Sequence, residues 1–159
     1  MDKYSRQLVV VPEDDANRDL ANGFVGVMSP LKHRNVFIAR PARGWARAAA
    51  AWSSLKLDVY VQRHVVLLVD FDGQHPVRHQ EIIASIPAQF HDRVFVLGSE
   101  ITPEKLKHRQ TLESIGRELG QACASATSNS ASSRWMQQGL AHNATELARL
   151  CTTVGALLF

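Results

Sequence analysis

Four short runs of β-branched and aliphatic residues punctuate the chain, each bounded by proline, glycine or charged residues. Leu8-Val9-Val10-Val11 follows Arg6-Gln7 and is stopped by Pro12, and Asn35-Val36-Phe37-Ile38-Ala39 ends just before Pro41. His64-Val65-Val66-Leu67-Leu68-Val69-Asp70 is the longest run, and Arg93-Val94-Phe95-Val96-Leu97-Gly98 is the last. Runs without polar alternation suit strands covered on both faces, so they predict the strands of a parallel sheet.

Between these runs the apolar positions recur at helical spacing. Glu13-Asp14-Asp15, acids suited to a helix N-terminus, precede Leu20, Phe24, Val25 and Met28, with Gly26 and Pro30 closing the segment. Gly44 to Leu57 is Ala-rich with Trp45, Ala49, Trp52 and Leu55 on one stripe, and Val77 to Ile86 reads as a third helix stopped by Pro87. Thr102-Pro103-Glu104 carries the start signals of a fourth helix, with Thr as cap and Pro at the first position, running to about Ala124; Gly116 and Gly120 weaken its second half. Ser125 to Ser133 is small and polar, as in an exposed loop, and Arg134 to Ala141 and Thr145 to Leu158 read as helical pieces.

Strands alternating with helices predict right-handed crossovers and an α/β fold of three layers. The expected architecture is an open, mostly parallel four-stranded sheet flanked by helices, with extra C-terminal helices. One domain is expected over 1–159, with its core in 6–124 and a helical tail in 134–159.

At 159 residues and 45% hydrophobic composition, such a domain buries roughly 70% of the surface of its unfolded chain without staples. The two cysteines, Cys123 and Cys151, fall in helix-like sequence and read as reduced thiols rather than a disulfide framework. No stretch reaches the roughly 20 apolar residues of a membrane span. Met1-Asp2-Lys3-Tyr4-Ser5-Arg6 leads straight into the first strand rather than into the apolar core of a secretory leader, so a cytoplasmic protein is expected. The formal charge of +3 and pI of about 9.1 admit a polyanionic partner without requiring one.

In open parallel sheets, ligands bind beyond the carboxyl ends of the strands. Acids collect there: Glu13, Asp14 and Asp15 follow the first strand, Asp70 and Asp72 the third, and Ser99 and Glu100 the fourth. Neighbouring carboxylates raise one another's pKa unless a cation offsets their charge, and an oxygen-only set suits Mg²⁺ or Mn²⁺. Strand alternation would point Asp70 and Asp72 the same way and turn Phe71 into the core. Read as structure alone, the same residues are a turn cap, an Asp-Gly turn and a helix N-terminus.

Glu13 after the first strand, with Asp70-x-Asp72 at the end of a buried strand, resembles the Toprim pattern of topoisomerases, primases and overcoming-lysogenization-type nucleases. The resemblance covers about residues 6 to 100 and implies a compact parallel sheet flanked by helices. It implies Glu13 as general acid/base, Asp70 and Asp72 as Mg²⁺ ligands, and Glu100 as support for a second metal, in phosphodiester cleavage or transfer. The family commonly carries Gly directly after its Glu, where Asp14 stands here. Arg40 and Arg43, after the second strand, are the expected phosphate contacts, with nucleic acid as partner. Defence against foreign DNA follows only by analogy with small stand-alone Toprim nucleases.

Two other resemblances share these residues. Val9-Val10-Val11-Pro12-Glu13-Asp14-Asp15 is similar to the first acidic cluster of response-regulator receiver domains, with Asp70 near their phospho-acceptor, but no fifth strand ending in Lys-Pro follows Ser99. Asp70-Phe71-Asp72-Gly73 resembles the nucleophile loop of haloacid-dehalogenase-type phosphatases, which lies on the first strand there and on the third here. A non-catalytic module that binds a protein partner or a second copy of itself is the remaining class. His75 and His79, four apart, could share a helix face as metal ligands do, although Pro76 makes two exposed histidines at a helix start the plainer expectation.

Overall fold

Gln7–Pro12 forms β1, Val36–Ile38 β2, Arg63–Asp70 β3 and Val94–Ser99 β4, all within the expected runs or one residue beyond them. The computed structural model describes residues 4–159; Met1, Asp2 and Lys3, the start of the N-terminal run considered above, lie outside the described residues. The helices are α1 (Asp15–Val25), the single turn α2 (Pro30–His33), α3 (Trp45–Ala50), α4 (His75–Ser85), α5 (Leu112–Ala124) and α6 (Ala144–Leu158). No helix among the described residues is long and apolar enough to cross a membrane.

The sheet is parallel throughout, in the order β2-β1-β3-β4. Strand alternation divides the core into two layers. Leu8, Val10, Val66, Phe95 and Leu97 face α1, α5 and α6, while Val9, Val11, Val65, Leu67, Val69, Val94 and Val96 face α3 and α4. The fold is therefore a three-layer α/β domain with C-terminal helices added to one face.

The expected fourth helix is divided in two. Pro103–Leu106 makes only a 3₁₀ turn, and α5 starts at Leu112, where the Thr111 side chain accepts from the Ser114 N–H at 3.1 Å. Between them His108 and Arg109 adopt left-handed φ values of 33° and 71°, which no helix tolerates. Thr102-Pro103 carries start signals as good as those of Thr111, so local sequence alone does not separate the two.

Gly116 and Gly120, which weaken α5 as an isolated helix, have a packing reason. A Cβ on Gly116 would stand 2.0 Å from the Leu20 carbonyl oxygen, and one on Gly23 would stand 1.9 Å from that of Glu113. The backbones of α1 and α5 thus touch directly, and α1 is held tightly over β1.

The outer edge of β4 is closed by side chains rather than by another strand. Asn143 Oδ1 accepts from the Gly98 N–H at 3.0 Å while its Nδ2 donates to the Gly98 carbonyl at 2.7 Å. Glu146 Oε1 accepts from the Val96 N–H at 2.8 Å, and Arg149 donates to the Val94 carbonyl at 2.5 Å. The Glu100 N–H completes the row by donating to the Gly139 carbonyl. The start of α6 therefore supplies the partners that a fifth strand would otherwise provide.

Two stability measurements check this packing. Gly116→Ala should lose about 1–3 kcal/mol in denaturant unfolding despite the better helix propensity of Ala, because α1 and α5 must separate to admit the methyl group. Asn143→Ala should cost about 2–5 kcal/mol, since it strands both a buried N–H and a buried carbonyl of Gly98; a cost below 1 kcal/mol would show that the edge does not need this side chain.

Candidate functional site

Because β1 and β3 are neighbours, the residue after β1 and the last residue of β3 meet. Glu13 Oε2 accepts from the Asp70 backbone N–H at 2.8 Å, and the Glu13 N–H donates to the Leu68 carbonyl, so the two strand ends are tied together. Asp70 lies in register with the positions of β3 that face α1, and its Oδ1 accepts from Asn17 Nδ2 at 3.1 Å. Asp14 is the N-cap of α1, accepting from the Asn17 N–H at 2.8 Å and from Asn17 Nδ2 at 3.1 Å. One fully buried amide thus bridges two carboxylates, while Asn17 Oδ1 is buried with no partner among the described residues. Glu13 Oε1 and Asp70 Oδ2 make no hydrogen bond to the described residues.

The electrostatics follow from burial and crowding. Burial pushes the Asp70 carboxyl up to about 7; the Asn17 hydrogen bond opposes this, and Asp14, Glu13 and Asp72 add to it. Glu13 is raised for the same leading reason and by Asp14 and Asp72, against the Asp70 N–H and the Arg78 guanidinium, which lower it. Both side chains are half-buried, so each holds a proton more tightly than a free carboxyl does.

Asp72 departs from the strand-alternation argument. β3 ends at Asp70, and Asp72 and Gly73 take left-handed φ values of 50° and 74°, making a turn rather than a continued strand. Asp72 swings to α4, where its Oδ2 accepts from Arg78 Nη1 at 2.8 Å. The same Nη1 donates to the Asp70 carbonyl at 2.7 Å, and the guanidinium lies 5.2 Å from the centre of the Trp45 ring. The Arg78 side chain is only 12% exposed against 55% for Asp72, so the cation is the fixed member of the pair.

Arg43 is brought to the same edge: its backbone N–H donates to the Glu13 carbonyl at 2.7 Å while its side chain is exposed. Arg40 is exposed just beyond β2. Ser99 pairs in register with Asp70, is buried, and accepts from the Ile101 N–H through Oγ at 3.2 Å. Glu100 follows β4, but its charge acts on His75 rather than standing among the leading influences on Glu13 or Asp70. Among the described residues, no three His, Cys, Asp or Glu side chains are already gathered to hold a metal ion.

The sequence reading singles out neither Asn17 nor Arg78. The position of Asn17, three residues after the N-cap Asp14 on the buried side of α1, was the available signal. For Arg78 there was none, because its role depends on where the turn after β3 throws Asp72.

The raised Asp70 value fixes a sign. Its folded pKa exceeds the unfolded one, so the folded state binds the proton more tightly, and stability falls as pH rises from about 4 to about 7. Asp70→Asn should therefore raise Tm by more at pH 8 than at pH 5, measured by calorimetry at fixed ionic strength; an equal change at both values would show that the Asp70 charge carries no penalty. No family model, curated protein or solved structure matches this chain.

Proposed function

We propose that this protein cleaves or transfers phosphodiester bonds of nucleic acid with a divalent metal, through a Toprim-like acidic site. The observation that carries the reading is the pairing of Glu13 with Asp70: two half-buried carboxyls at the ends of adjacent central strands, each raised in pKa by burial and like charge. Such a pair is stabilised by a cation, and its hard oxygen donors fit Mg²⁺ or Mn²⁺. Mg²⁺ keeps several waters and is commonly bound through one or two carboxylates plus substrate phosphates, so the free Glu13 Oε1 and Asp70 Oδ2 suffice without a closed protein cage. Asp72 and Glu100 are further ligands in this reading, Asp72 by giving up Arg78 and Glu100 from the end of β4.

When bound, the ion would neutralise charge on the transferring phosphoryl group and make water a better nucleophile. The protein's own part is positioning and proton handling. Glu13, raised above the ordinary carboxylate range by burial and fixed by the Asp70 N–H, can hold or release a proton at Oε1. Asn17 sets the orientation of Asp70 through Oδ1. Arg78, held in place by the Asp70 carbonyl once Asp72 has turned to the metal, offers its remaining N–H groups to a phosphate, with Arg43 and Arg40 outside it as backbone contacts. Action in the cytoplasm against foreign DNA belongs to the same proposal.

A second reading is favoured by one feature, the register that sets Asp70 opposite Ser99, with Glu13 and Asp14 at the end of the adjacent strand. That is the arrangement of a receiver-like phospho-acceptor, with Asp70 taking the phosphoryl group. Its weakness is the edge of β4, where α6 side chains stand in place of a fifth strand.

The two readings separate in one set of assays. Linear, circular and single-stranded DNA and RNA incubated with Mg²⁺ or Mn²⁺ should be cut by wild type, spared with chelator, and cut at least 100-fold more slowly by Asp70→Asn, as expected when a group central to the chemistry is removed. Inactivity of wild type on every substrate would overturn the nuclease reading. A gain of one phosphate in the mass spectrum after treatment with a small phosphodonor would then favour the receiver reading, and no gain would favour a non-catalytic partner-binding module.

A further inference from the structure

Behind the acidic site the core is incompletely filled. A cavity of about 70 Å³ lies between the sheet and the helices that cover one face of it, lined by Val10 and Val66 from the strands, Ala21 from α1, Leu119 from α5 and Leu150 from α6. Protein interiors hold few voids larger than a water molecule. This one exceeds the roughly 30 Å³ that a water takes up in the liquid, and it is smaller than the roughly 150 Å³ of an apolar cavity that admits benzene.

No charged residue lines the cavity, and its polar side chains, Asn17, Ser99 and Asn143, all belong to the carboxyl end of the sheet. Asn143 is saturated by the Gly98 N–H and by the Gly98 and Leu140 carbonyls, and Ser99 Oγ accepts from the Ile101 N–H. Asn17 is different. It is fully buried, its Nδ2 donates to both Asp14 and Asp70, and its Oδ1 has no partner among the described residues. The two carboxylates fix which end of the amide is nitrogen, because an oxygen turned toward them would be repelled. The atom that Asn17 turns away from the acids is therefore an unmet acceptor on a residue of the cavity wall.

We propose that this cavity is a binding site for a small neutral alcohol of about three or four carbons, with its hydrocarbon part against the Leu and Val side chains and its hydroxyl donating to Asn17 Oδ1. A buried water makes about three hydrogen bonds, and the lining offers one unmet side-chain acceptor, so water is the poorer occupant. A charged ligand would give up its hydration to an apolar wall that holds no counter-ion. A hydrocarbon or a ketone of the same size would leave Oδ1 unpaired. The site does not depend on a metal at Glu13 and Asp70, but Asn17 joins the two: an alcohol on Oδ1 polarises the amide whose Nδ2 holds Asp70.

The test is a methyl NMR titration of the metal-free, full-length protein with 2-propanol and with acetone, which share a carbon skeleton and differ in the hydrogen-bond donor. The expected result is a saturable shift of the methyl resonances of Val10, Val66, Ala21, Leu119 and Leu150 by 2-propanol, about tenfold tighter than by acetone, with a rise in Tm. Ala21→Leu, which fills the cavity, should abolish the shifts. Should that variant fail to fold by circular dichroism, Val66→Ile, which narrows the cavity from the sheet side, should weaken binding instead. Shifts that do not saturate, equal binding of acetone and 2-propanol, unchanged binding in the folded filling variant, or an ordered water at Asn17 that 2-propanol does not displace would each overturn the proposal.

Discussion

A parallel sheet of four strands leaves two edges whose backbone groups must find partners, and the C-terminal part of this chain is organised around one of them. Along β4 the N–H groups of Val96 and Gly98 and the carbonyls of Val94 and Gly98 are all satisfied by Glu146, Arg149 and Asn143. Each is a long or branched polar side chain reaching from α6 or the turn before it. This makes the edge unavailable for a fifth strand or for pairing with another chain. It also fixes where the tail lies, and with it the burial of Leu147, Leu150, Val154 and Leu157 against the same face as α1 and α5.

The chemistry at the carboxyl edge follows from these arrangements. Pinning Asn143 to Gly98 brings His142, the residue before it, against Phe71 and His75, although the two histidines are far apart in sequence. On the other side of the turn, the adjacency of β1 and β3 brings Glu13 to Asp70, and the left-handed turn at Asp72 and Gly73 parts the two aspartates. Asp70 stays with α1 through Asn17 and Asp72 goes to α4 through Arg78. The edge therefore carries two groups of different character: half-buried carboxyls crowded by like charge, and histidine rings packed edge-on against Phe71.

The strands were legible because burial on both faces demands uninterrupted apolar runs, and Leu8–Val11 and Val65–Val69 have no polar position to misplace. The clustering of Glu13 and Asp70 was legible for a topological reason, since the strands they follow are adjacent in this sheet order. What misled was local: alternation through Asp70-Phe71-Asp72 assumed a strand continuing past Asp70, and the Thr-Pro start at Thr102 assumed one helix where there is a 3₁₀ turn, a left-handed break and α5. Gly116 and Gly120 look like defects when α5 is considered alone and are its points of contact with α1.

The sequence by itself determined the class of fold, the position of its strands and the edge at which acids gather, because hydrophobic periodicity and the burial it requires are properties of contiguous residues. Tertiary structure alone decided the partners: Asn17 between Asp14 and Asp70, Arg78 between Asp70 and Asp72, and His142 against Phe71. These contacts join residues from different elements. They depend on helix placement, turn handedness and the closing of the β4 edge, none of which is encoded in the spacing of residues along the chain.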